Sequence, residues 1–252
     1  MHTPPFPPDI TPAEAVALQR ELAARVIDRD DFEASSLRTI AGIDVSLADE
    51  GRAAIVVLSF PELLPVETVT ASVPITFPYI PGLLAFREIP LVLAALAKLS
   101  APPDLIMIDG QGRAHPRRFG IACFVGVHTG IPAIGVAKSV LCGKHEPLGE
   151  EPGSAEPLVH RGEIIGTALR AKKRTKPLII SLGHRVSLPT AVRLVHGCLR
   201  GYRLPEPTRQ AHNAAGHGVK GAGPEPKKIL LPPDFGYGSM SRNMPDQDRI
   251  RK

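Results

Sequence analysis

The chain has no tryptophan, and aromatic residues make up only 4% of its 252 residues. Any core it forms is therefore aliphatic, and a hydrophobic content of 43% is enough to furnish one. Cysteine is scarce too: Cys123, Cys142 and Cys198 are odd in number, far apart and without metal-ligand spacing. That excludes a disulfide framework and a zinc ribbon, and it suits a reducing compartment. No apolar run reaches membrane-spanning length, and Met1–Pro8 has neither the basic start nor the apolar stretch of a secretory signal. The expectation is a soluble, cytoplasmic protein.

The formal charge of +5 conceals an uneven distribution. Residues 1–159 carry 12 Lys/Arg against 19 Asp/Glu, whereas residues 160–203 carry 10 against a single acid, Glu163. An acidic half beside a basic strip suits a protein that holds metal with carboxylates and phosphate with cations. On charge alone a solvated basic face is the favoured reading.

Thr11-Pro12-Ala13-Glu14 predicts a helix start, with Thr as N-cap, Pro in the first turn and Glu closing a capping box. Leu18, Leu22 and Val26 carry that helix over residues 12–27. Strands follow at Thr39–Leu47, Arg52–Phe60 and Val66–Val73, with Ala48–Gly51 a hairpin-like turn, so the connections imply an antiparallel meander. Helix and strand then alternate: a helix over Pro90–Lys98 with Pro in its first turn, a strand Asp104–Ile108, a helix Phe119–Thr129 and a strand Ala133–Val136. Short apolar strands separated by helices indicate parallel pairing. Residues 163–170 and 178–181 add two strands, and Ser187-Leu188-Pro189 opens a helix reaching about Arg200. The fold class is α/β: a mixed central sheet, antiparallel meander first and parallel strands after, flanked by helices. The domain is expected to span residues 1–212, and the Gly/Pro-rich residues 213–252 to form a flexible extension.

Asp44 stands in the otherwise apolar first strand, and Asp109 ends another such strand, Asp104-Leu-Ile-Met-Ile-Asp109. Carboxylates in such places are costly unless compensated. A shared cation would compensate both, since neighbouring strands lie roughly 4.8 Å apart. Hard oxygen donors favour Mg²⁺, with Mn²⁺ as a substitute, over zinc. Strand-end residues capping the following turns are the alternative. Glu88 is a third acid at a helix start, unremarkable by itself.

Five segments taken together are more specific: Ala41-Gly-Ile-Asp-Val-Ser46, Pro78-Tyr-Ile-Pro-Gly-Leu-Leu-Ala-Phe-Arg-Glu88, Asp109-Gly-Gln-Gly-Arg-Ala-His-Pro-Arg-Arg-Phe-Gly120, Gly135-Val-Ala-Lys-Ser139 and Ser181-Leu-Gly-His-Arg-Val-Ser187. In order and spacing they resemble the signatures of the Endonuclease V family, and Leu204-Pro-Glu-Pro-Thr-Arg209 resembles its closing motif. The resemblance runs from residue 12 to about 212.

It implies a ribonuclease H-like fold and a monomeric enzyme that cuts DNA on the 3′ side of deaminated bases such as hypoxanthine, with inosine RNA as a second possible substrate. Asp44, Asp109 and Glu88 are then the metal ligands. His184 corresponds to an active-site histidine, orienting water or holding a second ion, unless it only orders its loop. Lys138 neutralises the reacting phosphate or simply binds it. Tyr79, stiffened between Pro78 and Pro81, becomes a wedge that replaces the extruded base; the alternative is a strand-end tyrosine packed on the sheet. Gly82 and Leu84 line the base pocket, Gly112 lets backbone approach the base, and Arg87 belongs to the substrate-binding set. Arg113, His115, Arg117 and Arg118 contact phosphate. Lys172-Lys173-Arg174 and Lys176 form a second basic strip or a solvated hairpin turn. Competing readings are a resolvase-type ribonuclease H-like nuclease, which needs no Tyr79 wedge, and a non-catalytic lesion-binding module, which gains nothing from clustered acids facing phosphate.

Overall fold

Thr11 does cap the first helix, α1 (Pro12–Ala23): its hydroxyl accepts from the Glu14 N–H at 3.3 Å, and the Glu14 carboxylate accepts from the Thr11 N–H at 2.9 Å. The helix ends before residue 27 because Ile27 is recruited elsewhere. Its N–H donates to His184 Nδ1 at 3.2 Å, and its carbonyl accepts from the Arg185 N–H at 2.7 Å. The computed structural model describes residues 6–47 and 51–217. The hairpin-like turn expected at Ala48–Gly51 therefore falls mostly outside the described residues, as does the extension from residue 218.

Three strands follow: β1 (Thr39–Ser46), β2 (Arg52–Ser59) and β3 (Pro65–Ser72), paired antiparallel as the short connections require. The helix α2 (Leu84–Leu96) comes next, then β4 (Leu105–Ile108), α3 (Ile121–Thr129) and β5 (Ala133–Ala137). Pro90 lies inside α2, because the helix begins six residues earlier than its proline suggests. Burial of Phe86, Ile89, Leu91, Val92 and Leu93 along α2 offsets the hydrogen bond that Pro90 cannot make.

Both β1–β4 and β4–β5 pairs are parallel. The parallel run stops there. The strands β6 (Ala155–His160), β7 (Glu163–Leu169) and β8 (Leu178–His184) return as an antiparallel ribbon, giving the eight-stranded order β3-β2-β1-β4-β5-β8-β7-β6. In β6, Glu156 and Pro157 blunt the strand pattern, and this edge element was not foreseen from sequence. Lys172, Lys173, Arg174 and Lys176 lie in or beside the β7–β8 turn, and all four are exposed. Two further helices, α4 (Leu188–Gly197) and α5 (Glu206–His212), complete the order, and a wider turn over Asn213–His217 follows α5, broken at Gly216, whose φ is +101. Ala215 is buried, so the ordered domain runs past residue 212.

Apolar clusters cover the sheet on both faces. Alternate β1 residues divide between them: Ala41 and Ile43 join the cluster containing α2 and α3, and Ile40 joins the one containing α4 and α5.

Candidate active site

Parallel register puts the two strand acids together. Ile43 of β1 pairs with Ile108 of β4, so the next residue on each strand is Asp44 and Asp109. The Asp109 N–H donates to the Ile43 carbonyl at 2.9 Å, carrying the pairing to the carboxylates themselves. Lys138 follows β5, the other parallel neighbour of β4, and its ammonium pairs with Asp109 Oδ2 at 2.5 Å.

A histidine that sequence reasoning missed completes the group. His212, at the end of α5, brings Nδ1 to 2.8 Å from Asp44 Oδ2 and 3.4 Å from the Lys138 Nζ. Gly42 makes this possible: a Cβ there would lie 1.9 Å from the Pro207 carbonyl oxygen, so α5 rests on bare strand backbone. The one hint in the sequence was the closing motif Leu204–Arg209, which ends three residues before His212.

His184, expected at the site, is elsewhere. β8 runs antiparallel to β5, pairing Ile179 with Ala137 near Lys138 and His184 with Ala133 at the far end. There its Nδ1 accepts from the Ile27 N–H, and it orders the chain leaving α1.

Among the described residues, Asp44, Asp109 and His212 offer ligand atoms that all lie within 4.8 Å of one another. Glu88, reached from the second turn of α2, is buried beside them at 8% exposure. Burial first, then the charges of Asp44 and Asp109, pushes its pKa up to about 8, against a smaller opposing pull from Arg87. Asp109 is pushed up to about 6 by burial and Asp44, with Lys138 opposing. Acids crowded until they resist ionising are the environment that a divalent cation relieves. Carboxylate oxygens with one imidazole suit a hard ion of the Mg²⁺/Mn²⁺ kind and lack the thiolates of a zinc site.

Beside the acids opens a cavity of about 380 Å³ that includes Glu88, Asp109 and Lys138 in its wall. Tyr79, Gly82, Leu84, Gln111, His115 and Ile121 also line it. Two helices begin at this cavity without a side-chain cap, α2 at Leu84 and α3 at Ile121; in α3 the Ala122 N–H donates instead to the Gln111 carbonyl at 3.0 Å. Tyr79 stands at the rim, 68% exposed, and is not packed on the sheet.

Gly112 is absent from the cavity lining; its missing side chain serves the fold. A Cβ there would meet the Leu182 carbonyl oxygen at 2.2 Å, and its N–H donates to Ser181 Oγ at 2.9 Å. The arginines expected on phosphate are committed within the protein. Arg113 bridges Asp28 and Glu163, and Arg118 pairs with Glu163 and donates to the His160 and His115 carbonyls. Arg117 donates to Gln19 Oε1 and the Gly82 carbonyl, both at 2.6 Å. His115 is buried at the pocket, and desolvation, then Arg117, lowers its pKa to about 4. Arg87 is half-buried beside Glu88, outside the cavity wall.

A mixed sheet whose central parallel strands end in paired carboxylates, with a third acid on the flanking helix, defines a metal-dependent nuclease of the ribonuclease H-like class. The Endonuclease V family model matches residues 20–213, and an Endonuclease V from Nostoc sp. is 52% identical over 214 residues, 84% of this chain and 96% of the relative. The chain belongs to the Endonuclease V family. An Azotobacter vinelandii Endonuclease V is 53% identical over 210 residues, covering 82% of this chain and 94% of its own. The Streptomyces avermitilis enzyme has a solved structure that superposes with a TM-score of 0.77 at 45% identity, covering 82% and 92% of the two chains. Ciona intestinalis Endonuclease V, solved as a D234N variant in complex with a 23mer DNA containing an inosine followed by a ribo-adenosine, matches with a TM-score of 0.70 at 31% identity over 82% and 97%. No helix among the described residues is long and apolar enough to cross a membrane.

Proposed function

We propose that this protein is a repair endonuclease that recognises hypoxanthine in DNA and hydrolyses a phosphodiester on the 3′ side of the lesion with Mg²⁺. The observation that carries the reading is the direct continuity between the base-sized cavity and the acid cluster, which share Glu88, Asp109 and Lys138. A base held there leaves its own backbone beside the carboxylates. Asp44, Asp109, Glu88 and His212 would hold the ion. When bound, the ion supplies water activation, a clamp on the phosphate and stabilisation of the departing 3′ oxygen. Lys138 adds a positive charge at the same spot, able to neutralise the reacting phosphate.

Within the cavity, the first turn of α2, which no side chain caps, supplies backbone N–H donors for the hypoxanthine O6. Tyr79 at the rim stacks in the gap that base extrusion leaves. The working unit is one chain, since each site residue comes from it, and the free thiols of Cys123, Cys142 and Cys198 fit the cytoplasm.

The deciding experiment offers inosine in DNA, in RNA and in DNA with a following ribonucleotide, single- and double-stranded, with Mg²⁺, Mn²⁺ or chelator. Cleavage of inosine DNA at the 3′ side, lost in chelator, is expected. Equal cleavage of undamaged duplex would overturn the lesion reading, and cleavage confined to RNA would overturn the DNA assignment.

A further inference from the structure

Gln19 is a fully buried polar side chain on α1, one residue before the match to the family model begins. Its amide joins three segments distant in sequence. Nε2 donates to the Gly82 carbonyl at 3.2 Å and the Phe119 carbonyl at 3.0 Å, and Oε1 accepts from Arg117 Nε at 2.6 Å. The Gly82 carbonyl also receives Arg117 Nη2 at 2.6 Å and His115 Nε2 at 3.0 Å. His115 is a donor there because its Nδ1 accepts the Arg117 N–H at 3.2 Å, which leaves the proton on Nε2.

Three donors thus converge on one carbonyl with two lone pairs, one of them a guanidinium. That carbonyl belongs to the residue ending Pro78-Tyr79-Ile80-Pro81-Gly82. Two prolines fix φ within this segment, and the Leu83 N–H closes it on the Ile80 carbonyl at 2.9 Å. Gly82 itself has φ +79, the left-handed conformation that glycine adopts freely. A stiff segment carrying one exposed ring takes its direction from its anchor, and the anchor is this carbonyl.

We propose that Gln19 is a positioning residue for lesion recognition: with Arg117 and His115 it pins the Gly82 carbonyl and so aims Tyr79 at the gap left by the extruded base. The inference rests on the lesion-nuclease reading above. Gln19 itself makes its bonds to protein groups and takes no part in the chemical step. A residue that merely holds the fold together would cost affinity whether or not Tyr79 is present. One that acts through the wedge costs affinity only when the wedge is there.

The test is a double-mutant cycle of Gln19→Leu with Tyr79→Ala, read as binding to inosine and undamaged duplexes in Ca²⁺. Loss of buried hydrogen bonds of this kind predicts about 5- to 50-fold weaker inosine binding for Gln19→Leu. Undamaged duplex should bind within about twofold of wild type, and the single-turnover rate at saturating enzyme should be kept. In the Tyr79→Ala background the same substitution should change inosine binding by less than about twofold. An equal loss in both backgrounds, or no loss in either, overturns the proposal. If circular dichroism shows Gln19→Leu unfolded, Gln19→Glu goes through the same cycle with the same criteria. It keeps the acceptor for Arg117 and removes the donor to Gly82. Failure of the underlying reading is separately visible, since wild type would then bind inosine and undamaged duplexes alike.

Discussion

Replacing Asp44 or Asp109 by asparagine keeps the shape of the side chain and removes the charge that would hold a cation. Single-turnover cleavage should fall by about 10³-fold, equivalent to roughly 4 kcal/mol of transition-state stabilisation, while inosine DNA still binds in Ca²⁺. Near wild-type turnover in either variant would refute the metal site. The two histidines separate in the same assay. His212→Ala should cost cleavage and Mn²⁺ affinity, because its ring lies 2.8 Å from Asp44. His184→Ala should keep the rate and lower thermal stability by about 1 kcal/mol, the worth of the lost bond from the Ile27 N–H. The reverse pattern would return the catalytic role to His184. Expectation and geometry part at His184 for a physical reason: a His after a Gly turn looks poised, but strand direction decides which end of the sheet it reaches. Asp44 and Asp109 were legible because buried acids in or at the end of apolar strands are costly wherever the strands run, whereas Glu88, on a helix, was marked only by the motif around it.

At the scale of elements, α5 is the part with least local warning and most consequence. It has only seven residues, two prolines border or open it, and its helical pattern is too short to be seen. Its position is set by Gly42, and Gly42→Ala should force α5 off β1, given the 1.9 Å approach to the Pro207 oxygen. The expected outcome is weaker Mn²⁺ binding by calorimetry, slower cleavage and a lower melting temperature, with the β-sheet signature retained. Unchanged metal affinity would mean that His212 reaches Asp44 without close α5 packing. The three-strand meander and the β4-α3-β5 alternation were readable from apolar runs and turn residues. The antiparallel return through β8, β7 and β6 was not, because two apolar strands joined by the Lys172–Thr175 turn look the same whichever neighbour they pair with.

For the whole molecule, the acid cluster couples the site to global stability through pH. Glu88 is held up to about 8 and Asp109 up to about 6, both above their unfolded values of 4.5 and 3.8. The folded chain therefore binds more protons than the unfolded chain between about pH 4 and 8. Stability is fully present below the unfolded values and is lost as pH rises through the folded ones, at up to about 1.4 kcal/mol per pH unit for each group. In chelator, the melting temperature should fall between pH 5 and pH 8. Binding of Mg²⁺ or Mn²⁺ requires the ionised carboxylates, so it should release protons and tighten as pH rises over the same window. The ion then offsets most at high pH, and the melting curves with metal should be flatter than those without. Calorimetry of Mn²⁺ binding in buffers of different ionisation enthalpy reads the proton release directly. In Glu88→Gln the fall with pH should shrink to the smaller contribution of Asp109, confined to the range from about pH 4 to pH 6. A wild-type protein whose metal-free stability rises from pH 5 to 8 would show that these carboxylates are already ionised in the fold, and that the cluster lacks the mutual strain on which its affinity for a cation depends.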